Sequence, residues 1–262
     1  MIDVAKKKRI VLKLGTSTLT HKTGKLNIRR MTNLVRILSD LHNAGKELLL
    51  VSSGAVGMGV GKLNLPERPK DTPSKQAAAA VGQCELMHIY DDMFSKYNVT
   101  VAQILLTRAT LTNERLPHVQ NTIGRLLEMG VIPIVNENDT VAIDELELEI
   151  GENDSLSATV AAAVGADLLI ILSDINGLYS ADPRTDANAQ VIREVRKIDA
   201  RIEQMAGGAG SALGSGGMAT KINAAKIATE AGVDMVIMNG RDPEQLYLSL
   251  IHISEPTRHL RI

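Results

Sequence analysis

Aromatic side chains are nearly missing from this chain: Phe94 is its one phenylalanine, and four tyrosines and no tryptophan stand among 262 residues. Proteins that hold single-stranded nucleic acid stack bases on aromatic faces, and there is little here to build such a platform. An excess of one charge is missing too. The 29 Lys and Arg balance 30 Asp and Glu to a net −1, which gives no reason to expect a polyanionic partner. Cysteine occurs once, at Cys84, so no disulfide can close within the chain, and such usage suits a reducing cytosol. Cys84 itself reads as helix core. Long apolar runs are also lacking. The basic residues 6–9 are followed by three apolar ones before Lys13, too few for a signal-peptide core, and nothing approaches the roughly 20 apolar residues of a membrane span. The six histidines, at 21, 42, 88, 118, 252 and 259, keep no metal-ligand spacing with Cys84, which leaves zinc unsupported. These absences point to a soluble cytoplasmic protein with no nucleic-acid or membrane partner.

What is present is aliphatic. Hydrophobic residues make up 44% of the chain, enough to fill a sizeable core. Short continuous apolar runs occur at 10–14, 48–52, 99–106, 131–135, 168–172 and 235–238, as expected of strands buried on both faces of a parallel sheet. Between them lie segments with helical spacing. In 28–45, Ile28, Met31, Leu34, Val35, Leu38 and Leu41 form one stripe, and 74–97, 116–129, 155–165 and 217–232 read likewise. Strand and helix alternating in this way predict βαβ crossovers and a three-layer α/β/α sandwich around a mainly parallel sheet. In such sheets ligands sit beyond the carboxyl ends of the strands.

There the strands run into small and polar residues. Lys13 lies inside the first apolar run, where an unpaired charge is costly, unless it points to solvent from an edge strand. Gly15 follows and allows close backbone approach to a phosphate. No Walker A pattern occurs anywhere. Ser52-Ser53-Gly54 ends the second run. Further on come Asn136-Glu137-Asn138-Asp139 and Gly151-Glu152-Asn153-Asp154-Ser155, whose side chains could hold an ammonium group, orient lysines or bind Mg²⁺; Asp154 and Ser155 also look like a helix cap. Residues 141–150 between them read as a hairpin lid. Ser173-Asp174 and Asn239-Gly240 end the fifth and sixth runs. Ser215-Gly216-Gly217-Met218-Ala219-Thr220-Lys221 places a Gly-Gly pair at a helix start with a lysine one turn inside, an arrangement suited to an anion. The glycine-rich stretch 54–61 resembles a dinucleotide loop, but Lys62 stands where the last glycine belongs and no acidic residue ends the next strand near Gln103.

The segments KLGTSTLT (13–20), VSSGAVGMG (51–59), SKQAAAAVGQ (74–83), QILLTRA (103–109), IPIVNENDTVA (132–142), GENDSLSA (151–158), LSDINGLYSADPR (172–184) and LGSGGMATKINAA (213–225) together resemble the amino acid kinase family. The likeness runs from about residue 8 to 248 and is strongest to its glutamate-phosphorylating branch. It implies ATP-dependent phosphorylation of the γ-carboxylate of L-glutamate, at the entry to proline biosynthesis, with Mg²⁺ as cofactor. Lys13 and Lys221 would flank the transferring phosphoryl group, and Asp154 would hold both lysines. Ser53, Asp139 and Asn153 would bind glutamate. Lys13, Ser173, Asp174 and the stretch Ser215, Gly216, Gly217, Met218, Ala219, Thr220 and Lys221 would bind ATP. The resemblance further implies a homo-oligomer and a hand-over of product to glutamyl phosphate reductase. Two alternatives are a family member acting on acetylglutamate, aspartate, carbamate or a nucleoside monophosphate, and an amino-acid sensor without activity. NENDTVA and GENDSLSA speak against the first, and the retention of Lys13, Asp154 and Lys221 against the second. After Tyr247 the likeness stops. Residues 249–262 resemble a translated sequencing adapter, so the kinase domain is expected to span 1–248, with the native C-terminus, and any further PUA domain, lost.

Overall fold

The computed structural model describes residues 4–21, 25–112, 114–141, 153–180, 186, 188–206, 217–251 and 260–261. In chain order the elements are β1 (Arg9–Leu14), α1 (Thr16–Leu19), α2 (Ile28–Asn43), β2 (Glu47–Ser52), α3 (Ala55–Lys62), α4 (Thr72–Ser95), β3 (Thr100–Leu106), α5 (Leu116–Glu128), β4 (Val131–Glu137), α6 (Asn153–Ala163), β5 (Leu168–Ser173), β6 (Leu178–Tyr179), β7 (Val191–Ile192), α7 (Ala200–Ala206), α8 (Met218–Glu230), β8 (Asp234–Asn239), α9 (Glu244–Ile251) and β9 (Leu260–Arg261). All six expected strands and all five expected helices are found within a few residues of the sequence reading. Short 3₁₀ turns at Val4–Lys6 and Arg108–Leu111 complete the list.

The main sheet has the order β3-β4-β2-β1-β5-β8-β9, parallel throughout except for the antiparallel β9 at one edge. Because side chains alternate along a strand, the central strands feed two cores. Ile10, Leu12 and Leu14 of β1, Leu48 and Leu50 of β2, and Ile132 and Ile134 of β4 pack with α2, α4 and α9. Val11, Leu49, Val51, Val135, Leu169 and Ile171 pack on the other face with α5, α6 and α8. Helices therefore cover both faces, as the continuous apolar runs predict.

Local chemistry sets the element ends. Asn27 caps α2 by accepting from the Arg30 amide, and Asp71 caps α4 by accepting from the Ser74 amide, with Pro73 in the first turn. The glycine-rich stretch after β2 forms α3, not a loop. It lies against α4 so closely that a Cβ on Gly59 would stand 1.8 Å from the Ala78 carbonyl oxygen, and one on Gly82 1.8 Å from that of Ala55. Of the glycines that suggested a dinucleotide loop, Gly59 is a contact point between two helices, while a Cβ on Gly57 would meet only Thr16 and one on Gly61 open space. Gly54, at φ 113°, makes the left-handed turn from β2 into α3.

Cys84 is exposed, contrary to the helix-core expectation. The buried stripe of α4 runs through Ala78, Ala79, Gly82, Gln83, Leu86, Tyr90 and Phe94, and at about 100° per residue Cys84 turns away from Gly82 to the outer side. The limit expected at residue 248 falls inside α9. Leu250 is buried in the same core as α2, and Leu260–Arg261 pairs with Val236 and Ile237 of β8. Among the described residues no helix is long and apolar enough to cross a membrane.

Candidate active site

Strand parity decides which side chains meet. Lys13 shares the Val11 face of β1 and so points at α6 and α8. Since β1 is hydrogen-bonded to both β2 and β5, Lys13 stands in a central strand, which rules out the solvent-facing alternative. Its Nζ lies 2.7 Å from Asp154 Oδ1 in the first turn of α6, and Lys221 Nζ, from α8, lies 3.0 Å from Asp154 Oδ2. Thr220 Oγ1 stands 3.2 Å from the same Oδ2. The carboxylate has no exposed surface, and the two lysine side chains are 12% and 6% exposed. Burial is the largest influence on the Asp154 carboxyl and pushes it up. The charges of Lys13 and Lys221, with the hydrogen bonds from both, outweigh that and hold it below the ordinary carboxylate value. Two cations around one anion leave a net positive charge in a nearly dry place. Such a site attracts a further anion, because the low dielectric strengthens the attraction and an uncompensated charge there is costly.

Beside this charged cluster runs a neutral one. Asn153 Nδ2 donates to the Ser52 carbonyl oxygen at 3.1 Å, to Ser53 Oγ at 2.6 Å and to Asn136 Oδ1 at 3.2 Å. Asn136 Nδ2 donates in turn to Gln83 Oε1 at 2.8 Å. Behind them Ser52 Oγ and the Tyr90 hydroxyl are 2.8 Å apart. Parity operates here as well: Ser52 and Asn136 face α4, where they meet Tyr90 and Gln83, while Ser53 turns to α6 and meets Asn153. Ser53 accepts from Asn153, so its own hydroxyl hydrogen remains available to an acceptor in the site.

The structure thus brings Ser53, Asn153, Asp154, Lys13, Thr220 and Lys221 into one connected cluster. Asp139 stands a short way off, lining a cavity of about 10 Å³ with Ala55, Ala79, Gln83, Leu105, Glu137, Asn138 and Thr140. Burial raises its carboxyl above the ordinary value, opposed by the charge of Arg68. On the far side, Ser173 Oγ lies 3.3 Å from Asp174 Oδ1, and Asn239 Nδ2 donates to Asn176 Oδ1 at 2.8 Å. Asn176, Tyr179, Val191 and Arg193 line an open cavity of about 350 Å³ beyond them. Gly217 is the N-cap of α8 and contributes no side-chain cap; a helix N-terminus of this kind offers its first amides to an anion. Ser215, Gly216, Gly151, Glu152 and the lid expected at 141–150, apart from Val141, lie outside the described residues. Gln83 was missed as a site residue; a lone amide on an alanine-rich helix carries no signal of its own. Among the described residues no three or more His, Cys, Asp or Glu side chains stand close enough to hold a metal ion.

A parallel sheet covered on both faces, with a buried lysine–aspartate–lysine cluster at the carboxyl ends of its strands, defines a phosphotransferase of one particular architecture. The profile of the amino acid kinase family matches residues 8–239, and the chain belongs to that family. Within it, the chain is 56% identical over 242 residues to a glutamate 5-kinase from Clostridium perfringens, covering 91% of this chain and 90% of that protein. It is 55% identical over 232 residues to a glutamate 5-kinase from Carboxydothermus hydrogenoformans, covering 88% of this chain and 62% of that one. Among solved structures, an isopentenyl phosphate kinase from T. acidophilum superposes with a TM-score of 0.66 at 18% identity, over 97% of this chain and 98% of that one. A UMP kinase from Ureaplasma parvum does so with 0.61 at 13%, over 98% of each. These two share the fold.

Proposed function

We propose that this protein transfers the γ-phosphoryl group of ATP to the side-chain carboxylate of L-glutamate, giving L-glutamyl 5-phosphate, the first step of proline biosynthesis. The observation that carries the reading is the buried Lys13–Asp154–Lys221 cluster set beside the Ser53 hydroxyl and the Asn153 and Asn136 amides. A carboxylate oxygen of glutamate attacks the γ-phosphorus, the bond to the β,γ-bridging oxygen breaks, and ADP leaves with that electron pair. The nucleophile is already ionised at neutral pH, so no general base is required. Catalysis then rests on positioning and charge stabilisation. Lys13 and Lys221 approach the transferring group from β1 and α8, and Asp154 fixes both ammonium groups so that little reorganisation accompanies the reaction. Ser53 and Asn153 orient the acceptor carboxylate, and the ionised Asp139 receives the ammonium group of glutamate.

The open first turn of α8, Ser173 and Asp174 hold ATP. A net positive buried cluster next to free helix amides fits its phosphates. Mg²⁺ fits as a passenger on those phosphates, where it would neutralise charge on the β- and γ-oxygens, and Asp174, exposed at the end of β5, would face it. The acyl phosphate product hydrolyses readily, which favours rapid consumption by glutamyl phosphate reductase. Cytoplasmic location and a homo-oligomeric state complete the reading. The test is γ-glutamyl hydroxamate formation in the presence of ATP and Mg²⁺, with aspartate and acetylglutamate as comparators. Product from glutamate alone supports the assignment; preference for either comparator would sink it.

A further inference from the structure

Gln83 is 8% exposed, and its buried Nε2 has no hydrogen-bond partner among the described residues. A buried donor left unpaired is costly, so native proteins rarely keep one without a use. Which end of a glutamine amide carries nitrogen is often ambiguous, but here the network decides it. The Ser52 carbonyl oxygen can only accept, so the group of Asn153 beside it must be the donor Nδ2. Asn136 therefore presents Oδ1 to Asn153 and Nδ2 to Gln83. Gln83 must then meet Asn136 with Oε1, and its NH₂ is turned toward whatever else the site contains. The polarity of three amides is set by one backbone carbonyl at the end of β2.

Gln83 also lines the small cavity that holds Asp139, and it is kept at that depth by its neighbour Gly82, which admits no side chain against Ala55. The donor thus sits two hydrogen bonds away from Asn153, on the side opposite the lysine cluster. Resting on the function proposed above, we propose that Gln83 is a substrate-binding residue whose Nε2 donates to the α-carboxylate of the amino-acid substrate. Glutamate has three charged groups. Its side-chain carboxylate is at the lysines, and its ammonium group cannot accept a hydrogen bond. The α-carboxylate is the remaining acceptor, and it bonds at the end of the site where Asp139 takes the neighbouring ammonium. Asp139 and Glu137 on the same cavity wall are both acidic, so a neutral amide donor is what lets a carboxylate be held there.

The decisive variant is Gln83→Glu, which keeps an oxygen for Asn136 and replaces the donor by an acceptor of the same shape. The expected result is a rise in glutamate KM of about tenfold to a hundredfold, the worth of a hydrogen bond to a charged group, with kcat and ATP KM little changed. Gln83→Leu, of similar size and uncharged, is the second variant in case a buried carboxyl impairs folding, and it is expected to raise glutamate KM in the same direction. The α-amide of glutamate identifies the contacted group: it can donate to the carboxyl introduced by Gln83→Glu, so that variant gains on the α-amide relative to glutamate. An unchanged glutamate KM in both variants, as when a trapped water satisfies the amide, overturns the inference. So does a rise shared equally by ATP, or no relative gain for the α-amide. A wild-type chain that makes no hydroxamate from glutamate would instead sink the functional reading itself.

Discussion

Two clusters stand side by side at the end of the sheet and are built on opposite principles. Lys13, Asp154 and Lys221 are charged and almost dry, joined by ion pairs of 2.7 and 3.0 Å. Ser53, Asn136, Asn153 and Gln83 are neutral, and each has a place in a chain of directional hydrogen bonds. Charge in a low-dielectric site is strong and indiscriminate: it stabilises any transferring phosphoryl group. A fixed run of donors and acceptors is weaker per contact but tells one acceptor from another by geometry. We propose that rate belongs to the first cluster and substrate choice to the second, a division that substitutions can separate or merge.

The largest effect is expected for Lys13→Ala and Lys221→Ala. Each should lower kcat on the order of a hundred- to a thousandfold, the loss seen when one preorganised donor to a transition-state oxyanion is removed, while glutamate KM moves by less than about tenfold. Steady-state kinetics on both variants checks this. Near-normal turnover, or a KM effect as large as the kcat effect, would mean that the charged cluster also selects substrate.

Asp139→Asn addresses the other side. The Asp139 carboxyl has a folded-state value raised by burial above the ordinary 3.8, with Arg68 working against the shift. The folded state therefore favours the protonated form, and that stabilisation is present at low pH and lost as pH rises through the folded value. At neutral pH the empty site carries a disfavoured charge. Asp139→Asn should therefore raise the thermal midpoint of the ligand-free protein at pH 7 while raising glutamate KM. In the unmodified protein glutamate KM should climb as pH falls toward the raised value, and the variant should flatten that climb. Melting curves and a pH profile of KM read both. A lower midpoint with unchanged KM would place Asp139 outside the substrate site.

Much of this was legible in the sequence, and what was not has physical causes. The strands showed because residues buried on both faces leave unbroken apolar runs, and β1 through β5 and β8 lie where those runs do. The charged cluster joins residues 13, 154 and 221, and no spacing rule could have brought them together; the likeness of their surroundings to a family did. α3 was hidden because GAVGMGVG has the composition of a loop, glycine being a poor helix former. Gly59 is needed where two helix backbones touch, a property of the pair and not of the segment. Gln83 was hidden for a similar reason, since the role proposed for it follows from the direction of hydrogen bonds begun on β2, and Gln83 lies fifty-three residues from Asn136 along the chain.

Gly82→Ala tests whether that helix contact serves the neutral cluster alone. The added methyl would overlap the Ala55 carbonyl, and overpacking of this kind costs about 1–3 kcal/mol, which at roughly 2–4 °C per kcal/mol for a domain of this size lowers the midpoint by several degrees. If α4 relieves the overlap by moving back from α3, it carries Gln83 away from Asn136, so glutamate KM should rise with the fall in stability while kcat at saturation holds. A loss of kcat at unchanged KM would show that the two clusters are mechanically one.

The smallest effect is expected for the residues that follow α9. We propose that the domain ends with α9 and that the residues beyond it add nothing to fold or catalysis. Leu250 is 1% exposed and packs in the core shared with α2, so a chain ending at Leu248 loses a buried leucine, worth about 2–5 kcal/mol where a cavity is left. A chain ending at Ile251 loses the two-residue strand β9, which covers only Val236 and Ile237 at the sheet edge. Two backbone pairs on an edge contribute little next to a filled core, and terminal residues are commonly dispensable unless they are docked. The shorter chain should melt well below the full one, and the chain ending at Ile251 should match it in midpoint and in hydroxamate formation. If the Ile251 chain also lost several degrees, or if it aggregated through the exposed edge of β8, residues 252–262 would have to be counted as part of the folded domain despite their resemblance to an adapter.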